Sequence, residues 1–132
     1  MKTPKIITVS CSKGGVGKST VVINLAVELS KKYSVRVLDL DYQKSVTIFN
    51  KVRTAAGLDP LEIIGADSIK NFNAIVKSNH DLMIIDSGAF DSDYNRAALL
   101  AADMVITPVS DSEVEIYGLL MFNNALAALK KS

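Results

Sequence analysis

The sequence predicts an α/β fold, a mostly parallel central sheet flanked by helices. Three observations point there. Short apolar or β-branched runs alternate with stretches whose apolar residues recur at helical spacing. A glycine-rich string separates the first run from the first helical stretch. Acidic residues stand at or just past the ends of apolar runs, at Asp39, Asp41 and Asp86, and ligands of parallel sheets bind at the carboxyl ends of strands.

The elements follow in order. Ile6–Cys11 reads as a buried strand that stops at the glycines. Ser19–Lys32 has Val22, Leu25, Ala26 and Leu29 at helical spacing, with Lys31 and Lys32 suited to a helix C-terminus. Val35–Leu40 is a second strand. Ser45–Ala56 is a helix ended by Gly57 and Asp59-Pro60. Leu61–Ile64 is a weak third strand and Ser68–Lys77 a helix. Leu82–Ile85 is the most apolar strand and runs into Asp86. Asp93–Ala102 is a helix, Met104–Val109 a fifth strand, and Ser112–Lys130 a long amphipathic helix. Such alternation implies βαβ units and a sheet covered on both faces.

Bulk properties narrow the function. At 132 residues the chain reads as one domain, 1–132, able to bury a core. Hydrophobic content of 48% and charged content of 22% argue against disorder. A net charge of +1 gives no global basic excess for nucleic acid. The single cysteine, Cys11, excludes an internal disulfide and fits a cytoplasmic location. The start, Met1-Lys2-Thr3-Pro4, lacks the apolar core of a signal peptide. No apolar run approaches about 18 residues, so no membrane span is expected.

The string Lys13-Gly14-Gly15-Val16-Gly17-Lys18-Ser19-Thr20 lies between a strand and a helix. Glycines let backbone N–H groups close around a phosphate, and the following helix presents its positive end. Lys18 adds a mobile cation for the β- and γ-phosphates, Ser19 a hydroxyl for Mg²⁺, and Thr20 a further phosphate contact. The general pattern G-x-x-x-x-G-K-[ST] is not met, because Ser12 stands at its first glycine. The tighter string K-G-G-x-G-K-[ST] is present, with a chance frequency on the order of 10⁻⁵.

This string is the deviant Walker A motif, and the chain resembles the ParA/MinD family of ATPases, on its ParA partition side. The resemblance implies a P-loop NTPase three-layer fold, cut short here at the C-terminus. It implies that Lys13 reaches a dimer partner's nucleotide; from the residues alone Lys13 could equally be a solvated loop lysine. Leu38-Asp39-Leu40-Asp41-Tyr42-Gln43 resembles the family's switch I segment D-x-D-P-Q, in which Asp41 matches the water-activating position. Asp39 is a candidate Mg²⁺ ligand through water. Leu82–Asp86 is a Walker B pattern, with Asp86 meeting Mg²⁺ through water or Ser19. Ser87-Gly88-Ala89-Phe90 resembles switch II, where a glycine amide can meet the γ-phosphate. Ala102-Asp103-Met104-Val105-Ile106-Thr107-Pro108-Val109 matches the family's A-D-x-V-x-x-P-V. Tyr42 and Ala89 depart from the family pattern.

The implied activity is Mg²⁺-dependent ATP hydrolysis with slow intrinsic turnover, in plasmid or chromosome partition. The implied partners are ATP or ADP, a second copy bound in the ATP state, an activator of the centromere-binding type, and non-specific DNA in the full-length form. A nucleoid-associated site extends the cytoplasmic expectation. Family members usually run longer, so the chain is expected to be the N-terminal part of a longer domain, with an incomplete base pocket. Two rivals stand beside this reading. One is a nucleotide-dependent interaction module without useful catalysis. The other is a different enzyme with the same loop; an iron–sulfur version needs more ligands than Cys11. His80 reads as a surface turn residue, and Lys44, Lys51 and Arg53 as a solvated helix face.

Overall fold

The computed structural model describes residues 5–10, 17–78, 81–88 and 92–108, together with Asn124 and Ala127, which are helical. Five strands and four helices alternate along it: β1 (Lys5–Val9), α1 (Lys18–Leu29), β2 (Val35–Asp39), α2 (Ser45–Ala55), β3 (Glu62–Ile64), α3 (Ile69–Val76), β4 (Leu82–Asp86), α4 (Asp93–Ala101) and β5 (Met104–Ile106). The strands form one sheet in the order β3-β2-β4-β1-β5, and every pairing is parallel. Of the expected Ser112–Lys130 helix, all but Asn124 and Ala127 lies outside the described residues.

Burial on both faces explains the continuous apolar runs. Successive β4 side chains point to opposite faces of the sheet. Leu82 and Ile84 pack with Val9, Val35 and Val37 under Val22 and Ala26 of α1 and Val46 of α2. Met83 and Ile85 pack with Ile6 and Leu38 under Phe72 of α3 and Ala98 of α4. Each fully buried side chain of this kind contributes about 1.5–3 kcal/mol, so both helix layers are anchored through the central strand.

Among the described residues the expected element order holds, with shifted ends. The first helix stops at Leu29, three residues before the expected Lys32. Ser30 turns the chain there: its N–H and its hydroxyl both reach Ala26 O, at 3.0 and 2.6 Å. Lys31 and Lys32 therefore lie in a turn beyond the helix. The first strand ends at Val9, and the fourth includes Asp86. Side-chain caps set the starts of α3 and α4, where Ser68 accepts from Asn71 N and Ser92 from Asn95 N.

Strand order decides where the chemistry gathers. Because β4 lies between β1 and β2, Asp86 pairs in register with Val9 on one side and with Asp39 on the other. The adjacent ends of β1, β2 and β4 thus bring Val9, Asp39 and Asp86 together at one edge of the sheet. Asp103, just before β5, clasps β1: its carboxylate accepts from Ile6 N and its own N–H donates to Ile6 O, both at 2.8 Å.

Candidate phosphate-binding site

The site begins at Gly17, which precedes α1 with φ 86°. That left-handed conformation is open to glycine at little cost and disfavours a side chain. Among the described residues no side chain caps this helix, and its first turn carries no acid. The first-turn amides have no partner within the helix by geometry, and the positive end of the helix dipole faces the strand ends. Lys13, Gly14, Gly15 and Val16 lie outside the described residues.

Lys18 is only 6% exposed, deep for a lysine. Its Nζ donates to Asp41 Oδ2 at 2.7 Å and to Asp86 Oδ1. Ser19 Oγ donates to the other oxygen of Asp86, Oδ2, at 3.1 Å. Asp86 is fully buried. One lysine from α1 therefore joins the end of β4 to the loop after β2. Thr20 is exposed on the same turn.

The electrostatics follow. Burial opposes the Lys18 charge, but hydrogen bonds to Asp41 and Asp86 and their negative charges outweigh it and hold its pKa above 10.5. Burial likewise opposes the Asp41 charge, but Lys18, the Gln43 N–H and Lys44 hold its carboxyl below 3.8. Burial raises the Asp86 pKa, and the nearby Asp39 charge adds to this, against Lys18 and Ser19. Burial thus opposes the Asp86 charge in the free protein.

Asp39 is held differently. Its Oδ2 accepts from Thr47 N at 3.2 Å and Thr47 Oγ1 at 2.5 Å, and its Oδ1 accepts from Asp41 N at 3.3 Å. Both oxygens fasten the loop after β2 and the first turn of α2. Lys44, in the left-handed region at φ 56°, sends Nζ back to Asp39 O at 2.9 Å. Asp41 also accepts from Gln43 N at 2.8 Å. Thus Asp41 is aimed by a turn, while Asp39 is spent on building it.

The structure brings together Lys18, Ser19, Asp41 and Asp86, with Asp39 at their back. Two residues the sequence reading missed complete the frame, Thr47 and Asn95. Thr47 stands in the first turn of α2, where a free backbone amide and a hydroxyl can both donate to a nearby carboxylate; that was the available signal. Asn95 makes two bonds to Gly88, and nothing local announces them. Among the described residues no three His, Cys, Asp or Glu side chains gather to cage a metal ion. The oxygen pair Ser19–Asp86 does fit Mg²⁺, which prefers a few hard oxygen ligands and leaves other positions to water and phosphate.

A parallel sheet with a glycine-led helix, a buried lysine and strand-end carboxylates defines a P-loop nucleotide-binding protein. The CobQ/CobB/MinD/ParA nucleotide binding domain matches residues 7–132, and the chain belongs to that family, ParA and MinD included. It is 30% identical over 115 residues to the maintenance of carboxysome distribution protein A of Gloeobacter kilaueensis, covering 86% of this chain and 52% of that one. It is 33% identical over 111 residues to protein ParA of Rhizobium radiobacter, covering 79% and 48%. The chain spans about half the length of these two relatives. A plasmid partition protein of Borrelia burgdorferi B31 bound to AMPPNP superposes with a TM-score of 0.80 at 27% identity, covering 96% of this chain and 69% of that one. No described helix is long and apolar enough to cross a membrane.

Proposed function

We propose that the chain binds and hydrolyses ATP with Mg²⁺ and dimerises in the ATP state, as a partition ATPase of the ParA type. The observation that carries this reading is Lys18 held between Asp41 and Asp86 beside Ser19. A triphosphate entering against the start of α1 draws Lys18 toward its β- and γ-oxygens. Gly14, Gly15, Val16, Gly17 and Thr20 contribute backbone and hydroxyl donors around it. Asp41, released from the lysine, positions the attacking water, and Lys18 with Lys13 neutralises developing charge. Ser19 and Asp86 would hold Mg²⁺, with Asp39 lending charge behind them. When bound, the ion would supply positive charge against the phosphates. The AMPPNP bound to the Borrelia burgdorferi partition protein supports an adenine nucleotide.

Lys13 completes the partner's site in this reading. The test is light scattering with ATP–Mg²⁺ and with a non-hydrolysable analogue. The parent should dimerise, and Lys13→Ala should bind nucleotide but stay monomeric, since two triphosphates would face each other without their shared cations. Equal dimerisation of both proteins returns Lys13 to a solvated loop lysine. The remaining partners proposed are a centromere-binding activator and non-specific DNA.

A second reading is favoured by Tyr42. It stands next to Asp41, replaces the family's proline and is 81% exposed. An exposed aromatic beside the site suits a contact with another protein, and a chain working mainly through that contact would be a nucleotide-dependent interaction module. Failure of the parent to dimerise with ATP would favour it.

A further inference from the structure

Gly88 lies two residues beyond Asp86, and both of its backbone polar groups are taken by one side chain. Its N–H donates to Asn95 Oδ1 and its carbonyl accepts from Asn95 Nδ2, each at 3.0 Å. A Cβ on Gly88 would make ordinary contacts, 3.4 Å from Asn95 Nδ2 and 3.9 Å from Leu40 O. Gly88 therefore lies between the Asn95 side chain and the carbonyl of the residue that precedes Asp41. Ser87 and Asn95 are themselves held in place. Ser87 donates to Val9 O through its N–H at 3.2 Å and its hydroxyl at 3.0 Å. Asn95 is buried, and its own N–H donates to Ser92 Oγ at 3.1 Å.

A polar side chain buried in this way is held in one geometry, because a lost partner leaves a desolvated donor or acceptor. The carboxamide is thus a defined competitor for the Gly88 amide. It is a neutral acceptor. A terminal phosphate oxygen is an anionic one, and charge-assisted bonds of that kind are roughly twice as strong. We propose, resting on the nucleotide site above, that Asn95 is a positioning residue that holds the Gly88 amide until a terminal phosphate takes it. A diphosphate leaves the clasp closed. A triphosphate opens it, and the neighbouring Leu40 and Asp41 feel the change. Asn95 thereby sets how strongly the site prefers triphosphate over diphosphate.

The experiment compares the affinities of ADP–Mg²⁺ and a non-hydrolysable ATP analogue for the parent and Asn95→Ala. The Ser92 cap uses only the backbone of residue 95, so the start of α4 survives the change. ADP affinity should stay within about twofold, while the analogue should bind roughly three- to tenfold tighter, the factor a neutral hydrogen bond is worth. A merely structural role would shift both nucleotides by the same factor, and that result overturns the proposal. A second measurement needs no variant: in the parent, the Gly88 amide resonance should move with the analogue and stay in place with ADP. An amide insensitive to the analogue also overturns it. A parent that binds neither nucleotide overturns the site itself, and the clasp's role with it.

Discussion

The Lys18 ammonium donates to Asp41 at 2.7 Å across 23 residues of chain. Asp41 is the carboxylate proposed to act on water, and Lys18 the cation proposed to act on phosphate. In the free protein each occupies the other. In the proposed function, nucleotide binding exchanges these partners, with phosphate replacing Asp41 on the lysine.

Lys18→Ala should abolish triphosphate binding, with a loss of at least about a hundredfold, the scale of a strong charged contact. It should also destabilise the free protein, because the buried Asp86 loses its counter-charge; breaking such a pair costs about 3–5 kcal/mol. Fluorescence anisotropy with labelled ATP and a thermal melt check the two parts separately.

Asp41→Ala should keep nucleotide binding and lose hydrolysis. Aligning water matters in the transition state more than in the ground state. The lysine is also freed, so the variant should bind ATP at least as tightly as the parent. A binding loss equal to the loss of turnover, seen in parallel titrations and phosphate assays, assigns Asp41 to structure or metal instead.

Thr47→Val removes the hydroxyl that donates to Asp39 at 2.5 Å. The expected effect is a stability loss of about 1–3 kcal/mol, as for a lost hydrogen bond to a charged group. The Mg²⁺ dependence of nucleotide binding should be unchanged, because Thr47 touches Asp39 and not Ser19 or Asp86. A urea melt and a Mg²⁺ titration decide it.

Asp86 should make the free protein less stable as pH rises. Its pKa is raised above 3.8 in the fold, first by burial. The folded chain thus holds this proton more tightly than the unfolded chain. The stability it contributes is complete below 3.8 and is lost as pH climbs through the folded value. Asp41, whose pKa is lowered, works in the opposite sense and loses its contribution as pH falls below 3.8. Asp86→Asn removes this titration, so its stability should fall less steeply than the parent's from acid to neutral pH, while Mg²⁺-dependent binding is lost. A variant whose stability falls with pH as steeply as the parent's contradicts this sign.

Much of this was legible because it is local. The apolar runs, the glycine string and the strand-end acids each announce themselves within a few residues. Strand order is not local: nothing in the alternation says that β4 inserts between β1 and β2, which sets Asp86 beside Asp39. Asp39 looks like a metal ligand from its place after an apolar run, and only the fold shows Thr47 and the Asp41 N–H on its oxygens. Ser30 turning back on Ala26 ended the first helix before the lysines that seemed fit to end it. Asn95 reads in sequence as an ordinary helix residue, because its role depends on a glycine seven positions earlier.

The central claim is that these residues hydrolyse ATP, and phosphate release from ATP–Mg²⁺ under single-turnover conditions tests it most directly. The account predicts slow release by the parent, abolished by chelating Mg²⁺ and reduced to background in Lys18→Ala and Asp41→Ala. A parent that binds ATP–Mg²⁺ yet releases no phosphate above background would contradict it and leave the nucleotide-dependent interaction module as the function.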